Sequence, residues 1–389
     1  MAAKQRIAFV ANTSWSIYKF RLYLIENLIK KGFSVSVLAP RDAYTEQFEN
    51  LPGLTYLELR HFKAKSISPR QDILLYKELL HHYRTVQPAL IFHYTIKANI
   101  FGTWAAARAR IPAVSVVTGL GYTFAGKGWL RSAVKTLYKT AFKKAAQVWF
   151  LNEDDRHFFT AERLVDTART FVLPGEGVDT DAFFASPFEP GKKAVTFLLI
   201  GRIIRHKGII EFARAASLLK QQGLSVQCQL LGGFDDNNPV AISRQEVAAW
   251  ERQGILTYMG HTDQVAPFIE KADCVVLPSY REGMPLSLLE GASMCKALIA
   301  ADTPGCRTLI EEGINGYLCR EKDGEDLAKK MAAYYHLPAA AKRAMGMAAR
   351  DRILKDFTRQ HIIRIYLEKI NALISSTLPP PKPTNPLTK

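Results

Sequence analysis

Residues 6–39, RIAFVANTSWSIYKFRLYLIENLIKKGFSVSVLA, determine the fold class. The apolar run Arg6–Ala11 predicts a buried strand, and the apolar residues of Phe20–Lys31 recur at helical spacing after a polar loop. Gly32 ends that helix, and Phe33–Ala39 predicts a second strand. A strand, a helix and a strand within about 35 residues form a βαβ unit, which predicts a parallel sheet with right-handed crossovers.

The alternation of strands and helices continues along the chain and restarts once. Further strands are predicted at 89–94, 113–117 and 147–151 in the first half, and at 195–200, 226–231, 256–259, 273–277 and 297–300 in the second. A segment containing Pro and Gly, at about 174–193, separates the halves. The fold class is therefore α/β, with two doubly wound, Rossmann-like parallel-sheet domains that face each other across a cleft.

The predicted domains are residues 1–180 and 181–360. Residues 361–376 are expected to form a C-terminal helix that could cross back to the first domain. The Pro-rich tail, residues 377–389, is expected to be disordered.

The composition is that of an ordinary globular protein. The 389 residues are 48% hydrophobic and 23% charged, and no apolar run approaches the roughly 20 residues that span a bilayer. The N-terminus runs into the first strand without the apolar core of a signal peptide. Five cysteines, an odd number without a C-x-x-C motif, indicate a reducing compartment. We therefore expect a cytoplasmic protein.

The positive charge is concentrated in the first half of the chain. Residues 1–180 hold 25 Lys and Arg against 14 Asp and Glu, so +11 of the net charge of +16 lies there. Such an excess indicates an anionic partner: nucleic acid, anionic lipid or a phosphorylated substrate.

One basic amphipathic helix is predicted near residues 127–144. Its positive residues recur every four positions, with apolar and aromatic residues between them: Lys127, Arg131, Lys135, Lys139 and Lys143. A helix of this kind can lie on an anionic membrane surface, so we expect peripheral attachment through it. The alternative is a helix whose apolar face packs on the core and whose basic face is solvated.

Two acidic residues stand at a predicted ligand-binding edge of the second sheet. The stretch Tyr280–Glu290 follows a buried strand and enters a helix for which Pro285 suits the first position. Glu282 then lies in the loop and Glu290 in the helix, while the free amides around Met284 favour an oxygen-rich ligand. The alternative is a strand–turn–helix unit with two surface acids.

Two basic residues follow the strand at 195–200. Arg202 and Lys207 together suit a diphosphate, because one is a fork donor and the other a compact point charge. Two solvated cations before a helix are the alternative. The only D-x-D motif, Asp179-Thr-Asp181, lies at the domain junction and is interpreted as a turn and cap, so we predict no metal site and no cofactor. The G-x-G-x-x-G fingerprint of dehydrogenases is absent.

With Arg202 and Lys207 after a strand, and Glu282 and Glu290 in E-x7-E spacing, the chain resembles the retaining glycosyltransferases of family 4, which have the GT-B fold. The likeness covers nearly the whole folded chain, including 177–183 at the junction and 304–307. It implies that Arg202 and Lys207 hold the donor diphosphate. It also implies that Glu282 and the following amides bind the transferred sugar, and that Glu290 binds the donor ribose.

The resemblance also implies site residues by class. The catalytic residues would be Arg202, Lys207 and Glu282. The donor would be bound by Gly201, Gly232, Gly260, Gly283, Met284, Pro285, Leu286 and Glu290. The acceptor would be bound by Asn12, Thr13, Ser14, Lys19, Arg21, His93, Lys97 and Thr118. His93 has an alternative interpretation as a strand-end residue satisfied by the backbone.

The first-half loops look like the family-4 branch that extends sugars on undecaprenyl diphosphate, for example by adding N-acetylgalactosamine to diphosphate-linked N,N′-diacetylbacillosamine. These loops are 12–21, 93–99 and 118–121. The sequence departs from the family at Ser14–Ser16, where a glycine pair is usual, and at Cys295–Ala297, where Gly-x-Pro is usual.

The predicted function is therefore a metal-independent retaining transfer of a sugar from a UDP-sugar to a polyprenyl-diphosphate-linked saccharide in bacterial glycan assembly. N-acetylgalactosamine or another N-acetylhexosamine is the best candidate. The expected location is the cytoplasmic face of the membrane. Alternatives are an epimerase of the same fold and a non-catalytic nucleotide-sugar binder. Nucleic-acid binding is not expected, because the stacking modules it uses are absent.

Overall fold

The computed structural model describes residues 5–64, 66–119, 129–236 and 238–375. The chain divides into two compact units. The first unit comprises the described parts of Met1–Phe150, Arg156–Val172 and Ile363–Lys389, and the second comprises Leu151–Asp155 and Leu173–Ile362. The chain thus passes between units at 172–173, where the sequence suggested 180–181, and the described residues 363–375 group with the first unit. The tail at 377–389 lies outside the described residues.

The first unit contains a seven-stranded parallel sheet in the order β3-β2-β1-β4-β5-β6-β7. Its strands are β1 Arg6–Val10, β2 Ser34–Ala39, β3 Leu54–Glu58, β4 Leu90–Tyr94, β5 Ala113–Val117, β6 Gln147–Phe150 and β7 Thr170–Val172. The central strand β4 is buried along its whole length, which explains its nearly uninterrupted apolar sequence. The predicted parallel α/β architecture of this half is confirmed.

Helices cover this sheet and follow its strands. They are α1 Ser14–Lys30, α2 Glu46–Glu49, α3 Pro69–Val86, a π-helical turn Ala98–Gly102 that continues into α4 Thr103–Ala109, α5 Trp129–Phe142 and α6 Glu153–Ala161. The sequence analysis did not predict β3 or α3.

Helix α1 begins earlier than predicted. The polar loop expected before Phe20 is helical from Ser14 onward. The Thr13 side chain accepts the Ser16 N–H at 3.1 Å and caps the first turn, and Ile17 is fully buried. The loop prediction was therefore wrong, because the polar residues that suggested it are helix-capping residues.

The second unit contains a six-stranded parallel sheet in the order β10-β9-β8-β11-β12-β13. Its strands are β8 Val195–Ile200, β9 Val226–Leu231, β10 Thr257–Tyr258, β11 Cys274–Leu277, β12 Ala297–Ala301 and β13 Gly316–Cys319. Its helices are α7 Ile209–Gln221, α8 Arg244–Arg252, α9 Ala266–Lys271, α10 Leu286–Ser293, α11 Pro304–Leu309, α12 Gly324–His336 and α13 Ala339–Asp356. The predicted doubly wound sheet of this half is also confirmed.

A last helix, α14, spans Arg359–Ser375. In the first unit, its Tyr366 is fully buried, and the Tyr366 ring lies 5.2 Å from Phe92 and 5.1 Å from Trp149 between ring centres. Within the described part of the chain, no helix is both long and apolar enough to cross a membrane.

Candidate active site

The candidate site lies at the carboxyl edge of the second unit's sheet. Strands β8, β11 and β12 are neighbours in the sheet order, so the loops that follow them meet at one edge. Gly208 brings two of these loops into contact. Its φ of +72° favours glycine, and a Cβ there would lie 2.0 Å from the Pro278 carbonyl oxygen. The turn before α7 therefore packs directly on the loop after β11.

Two of the predicted catalytic residues form an ion pair at this edge. Lys207 Nζ donates to Glu282 Oε1 at 2.5 Å, and the two side chains are 23% and 12% exposed, respectively. The stem of Lys207 runs beside Gly201, where a Cβ would lie 3.5 Å from the lysine side chain. The geometry fixes a carboxylate and an ammonium group side by side, with part of the lysine side chain open to solvent.

Arg202 has a different carboxylate partner. Its Nη1 lies 3.3 Å from Asp235 Oδ2, and its side chain is 59% exposed. Because a guanidinium carries five N–H donors, this single contact leaves donors available for an anionic ligand. Arg202 and Lys207 thus follow the same strand, but the fold pairs each with its own acid.

The predicted donor-site glycines allow close backbone approach. A Cβ on Gly232 would lie 1.7 Å from the Gly201 carbonyl oxygen, and the Gly232 N–H donates to the Gly260 oxygen at 2.8 Å. Gly260 has a φ of +79°. The ends of the chain segments after β8, β9 and β10 therefore lie together, as the predicted donor site requires.

The first turn of α10 offers backbone amides. Pro285 is the N-cap residue, with φ −78° and ψ 110°, so it precedes the helix and the prediction that it occupies the first helical position was wrong. The N–H groups of Leu286 and Ser287 have no partner within the helix, as at any helix start. Glu290 lies in α10 and is 5% exposed.

Gly283 and Met284 connect Glu282 to this helix. The Met284 side chain packs where a Cβ on Gly175 would be, at 2.5 Å, which explains the glycine at that position. The Gly305 N–H donates to the backbone carbonyl oxygen of Glu282 at 3.2 Å.

Several predicted acceptor residues have structural partners in the first unit. Ser14 is fully buried and its hydroxyl donates to the Pro40 oxygen at 2.9 Å. Lys97 pairs with Asp72 at 2.6 Å. Arg21 is 2% exposed, and its guanidinium lies 3.6 Å from the centre of the Tyr94 ring. The partly exposed members of the set are Asn12, Thr13, Lys19, Lys97 and Thr118. Gly121 lies outside the described residues.

His93 belongs to a buried network. Its Nε2 lies 2.8 Å from the Tyr83 hydroxyl and its Nδ1 lies 3.2 Å from the Thr103 hydroxyl, which in turn lies 2.8 Å from Ser115. The side chain is fully buried, and burial lowers the pKa of His93 to about 3, so the ring is neutral. The geometry favours the alternative interpretation of a strand-end core histidine, although its partners are side chains and not the backbone.

Asp179 of the D-x-D motif caps a turn. Its Oδ1 accepts the N–H groups of Asp181 and Ala182 at 3.1 and 3.0 Å, and its Oδ2 pairs with Arg359 at 2.7 Å. These contacts agree with the turn interpretation made from the sequence.

The basic helix α5 packs its apolar face on the core. Val134, Tyr138 and Phe142 are buried, and the Tyr138 ring lies 5.4 Å from that of Phe159. Lys139, in α5, and Lys143, directly after the last residue of α5, are exposed. Tyr138 is therefore not available for insertion into a membrane. Lys127 lies outside the described residues.

Two residues missed by the sequence analysis hold the loop that carries Glu282. Asn152 and Asp155 are 1% and 4% exposed, and Asn152 Nδ2 donates to the Gly283 oxygen at 2.9 Å. Burial raises the pKa of Asp155 to about 6. Asn152 is a cap residue and is followed three positions later by an acid. This spacing is a helix-start signal that can be recognised in the sequence.

Two family models match the chain consecutively. Residues 19–176 match the glycosyl transferase 4-like domain, and residues 179–352 match the glycosyl transferases group 1. The chain belongs to the glycosyltransferases, with the GT-B fold expected from the sequence.

Two relatives and two solved structures are similar to this chain. The chain is 29% identical over 93% of its length and 98% of the relative to N,N'-diacetylbacillosaminyl-diphospho-undecaprenol alpha-1,3-N-acetylgalactosaminyltransferase of Campylobacter jejuni. It is 26% identical over 67% of its length and 70% of the relative to UDP-Gal:alpha-D-GlcNAc-diphosphoundecaprenol alpha-1,3-galactosyltransferase of Escherichia coli. A glycosyltransferase from Rickettsia africae superposes with a TM-score of 0.79 at 16% identity, covering 96% of this chain and 100% of that one. Anabaena HepE in complex with UDP-glucose superposes with a TM-score of 0.75 at 16% identity, covering 94% and 99%.

Proposed function

We propose that this glycosyltransferase moves a sugar from a UDP-sugar to a polyprenyl-diphosphate-linked saccharide, and that it retains the anomeric configuration. The observation that carries the proposal is the likeness to the Campylobacter jejuni enzyme, which extends over almost the whole of both chains. That enzyme and the Escherichia coli relative are both named for saccharides on diphospho-undecaprenol. The two names differ in the transferred sugar. N-acetylgalactosamine is the best candidate, because the relative named for its transfer resembles this chain over the greater length.

Retention is proposed from the linkages in these names. Both relatives are named for α-1,3 products. The common UDP-hexoses are α-linked, so an α product from such a donor keeps its configuration. A β-linked product from this chain would contradict the proposal.

The donor-site residues of the second unit suit the departure of UDP. The bond between the sugar C1 and the diphosphate oxygen breaks, and negative charge develops on the leaving phosphate. Lys207 and Arg202 would stabilise that charge, so the reaction needs no metal ion. Glu282, held by Lys207, would accept hydrogen bonds from the sugar hydroxyls.

The acceptor hydroxyl attacks C1 on the face that the leaving group departs from. Its proton passes to the departing phosphate oxygen as the new glycosidic bond forms. Such front-face attack requires no enzymic nucleophile, and it accounts for retention in a single step.

We place the enzyme peripherally on the cytoplasmic face of the membrane, with the exposed basic face of α5 toward anionic lipid. Lys139 and Lys143 are the exposed charges that support this location. Lys139→Glu/Lys143→Glu should reduce sedimentation with anionic vesicles several-fold. Lys30→Glu/Lys31→Glu is the matched control, since it makes the same charge change at two exposed residues that end α1. Equal binding by both variants would contradict the location.

The epimerase and the non-catalytic binder are less favoured, because both relatives are transferases. Each makes a distinct prediction. An epimerase would convert a UDP-sugar without any acceptor, and a binder would retain UDP-sugar without any product.

A screen of UDP-sugars against short-chain polyprenyl-diphosphate saccharides, read by mass spectrometry, tests the proposal. We expect one UDP-N-acetylhexosamine to add one residue to the acceptor. Lys207→Ala and Arg202→Ala should each lower turnover by about two to three orders of magnitude. Addition from no UDP-sugar, or unchanged turnover in both variants, would overturn the proposed reaction or the proposed phosphate site, respectively.

A further inference from the structure

Asn152 is the N-terminal capping residue of α6 and also contacts the loop after β11. Its Oδ1 accepts the Asp155 N–H at 2.8 Å, and its Nδ2 donates to Asp155 Oδ2 at 3.1 Å and to the Gly283 oxygen at 2.9 Å. The contacts determine the orientation of the amide, because the opposite orientation would place Oδ1 against two oxygen acceptors. Asn152, Asp155 and Gly283 all belong to the second unit.

Capping explains only one of these three contacts, the one that Asn152 Oδ1 accepts. A helix cap needs an acceptor for the N–H at the third helical position, which Ser or Asp supplies as well as Asn. The hydrogen bond that Asn152 Nδ2 donates to the Gly283 carbonyl oxygen is additional, and an aspartate side chain could not donate it. The contact with Gly283 therefore explains why an asparagine, and not only a capping residue, stands at position 152.

The Gly283 carbonyl controls the direction of the next amide. The carbonyl of Gly283 and the N–H of Met284 belong to one planar trans peptide and point in opposite directions. With the carbonyl turned toward Asn152, the Met284 N–H points to the other side of the loop.

The preceding carbonyl is held independently. The Glu282 oxygen accepts the Gly305 N–H at 3.2 Å, and a Cβ on Gly305 would lie 2.5 Å from the Gly283 oxygen. Two consecutive peptides beside Glu282 are thus fixed by α11 on one side and by Asn152 on the other.

We propose that Asn152 is a positioning residue for the transferred sugar, acting through the Gly283–Met284 peptide on the Met284 amide and the Glu282 carboxylate. The inference rests on the proposed function, since it assigns the donor sugar to this loop. It concerns the sugar, because the loop that Asn152 contacts carries Glu282, whereas Glu290, which is assigned to the ribose, lies farther along in α10.

Asn152→Ser separates the two roles of the side chain. Serine caps a helix but lacks the amide that donates to Gly283 and to Asp155 Oδ2, whereas Asn152→Ala removes the cap as well. The dissociation constants of UDP and of UDP-N-acetylgalactosamine, or of the UDP-sugar that the donor screen selects, are measured by calorimetry for each variant. The donor kcat/KM and the melting temperature are measured alongside.

For Asn152→Ser we expect the donor kcat/KM to fall by about 10- to 100-fold, because a misplaced group near the reacting bond has such an effect. UDP affinity should change less than twofold, and the melting temperature should stay close to that of the unmodified protein. Ser243→Ala is the matched control, because Ser243 caps α8 through the Glu246 N–H at 3.2 Å. Loss of this cap should lower the melting temperature and leave donor kcat/KM unchanged.

Two results would overturn the inference. One is an Asn152→Ser variant with unaltered UDP-sugar affinity and unaltered donor kcat/KM. The other is a parallel loss of UDP and UDP-sugar affinity, which would indicate a general structural effect. If the unmodified protein bound no UDP-sugar at all, the proposed function would fail together with the inference. Binding without transfer would contradict only the proposed reaction, because the affinity ratio needs no acceptor.

Discussion

Replacing Lys207 by Met tests the donor site most directly. Methionine keeps the apolar stem beside Gly201 and removes the ammonium group that lies 2.5 Å from Glu282. If the ammonium stabilises the departing diphosphate, turnover should fall by about 100- to 1000-fold, as for other preorganised donors. A mere surface ion pair would give no such loss.

The same substitution has a calculable effect on stability. Glu282 is 12% exposed, so its carboxylate would remain mostly buried without a cation. We expect a loss of about 1–3 kcal/mol in the free energy of unfolding. The loss should be smaller than the roughly 3–5 kcal/mol of a fully buried pair, because water reaches part of Lys207.

The chain offers a matched control in the second unit. Lys330 donates to Glu312 at the same 2.5 Å distance, but the side chains are 29% and 48% exposed. Lys330→Met should cost less than about 1 kcal/mol and leave turnover unchanged. The double variant Lys207→Met/Glu282→Gln should recover stability relative to Lys207→Met, since no charge is left unpaired, without recovering turnover.

Urea unfolding and single-turnover transfer rates measure the two effects separately. Turnover in Lys207→Met within threefold of that in Lys330→Met would refute the phosphate role of Lys207. Recovery of turnover in the double variant would show that the only function of Lys207 is to neutralise Glu282.

Three further predictions concern other residues. Asp155→Asn should unfold at higher urea than the unmodified protein at pH 8, and the difference should shrink below pH 6. Burial raises the pKa of Asp155 from 3.8 to about 6, so the native state favours the protonated acid. The protonated acid stabilises the native state at low pH, and this stabilisation is lost as the pH rises from about 4 to about 6. Tyr83→Phe should cost about 1–3 kcal/mol in urea unfolding, because it leaves His93 Nε2 without its partner at 2.8 Å, while acceptor KM stays within twofold. Gly305→Ala should lower the transfer rate more than tenfold, since its Cβ would meet the Gly283 oxygen at 2.5 Å and displace the loop.

The strand pattern allowed most of the fold to be predicted. Buried parallel strands are nearly continuous apolar runs, and those of β1, β8 and β11 were predicted to within a residue. Strand β3 was missed because it is partly exposed along its length and lacks such a run. The start of α1 was missed because polar capping residues resemble a loop in the sequence.

The donor side was predictable for a topological reason. Strands β8 and β11 are adjacent in the sheet, and the loops after adjacent parallel strands must share an edge. Two cations after one strand and an acid after its neighbour could therefore be placed together before any coordinates were known. The structure adds which charges meet: Lys207 contacts Glu282, while Arg202 contacts Asp235.

The acceptor side was less predictable, because the polar residues there have ordinary uses within the fold. Thr13 caps a helix, Ser14 satisfies a carbonyl, and His93 completes a buried network. A polar residue at the end of a strand or helix is explained as well by such local bonding as by a substrate. A turn does not require charged residues, so Arg202, Lys207 and Glu282 after neighbouring strands had no explanation in the local sequence. Asn152 shows the limit of this distinction, since its sequence context indicates a cap and only its contact with Gly283 indicates a role in the site.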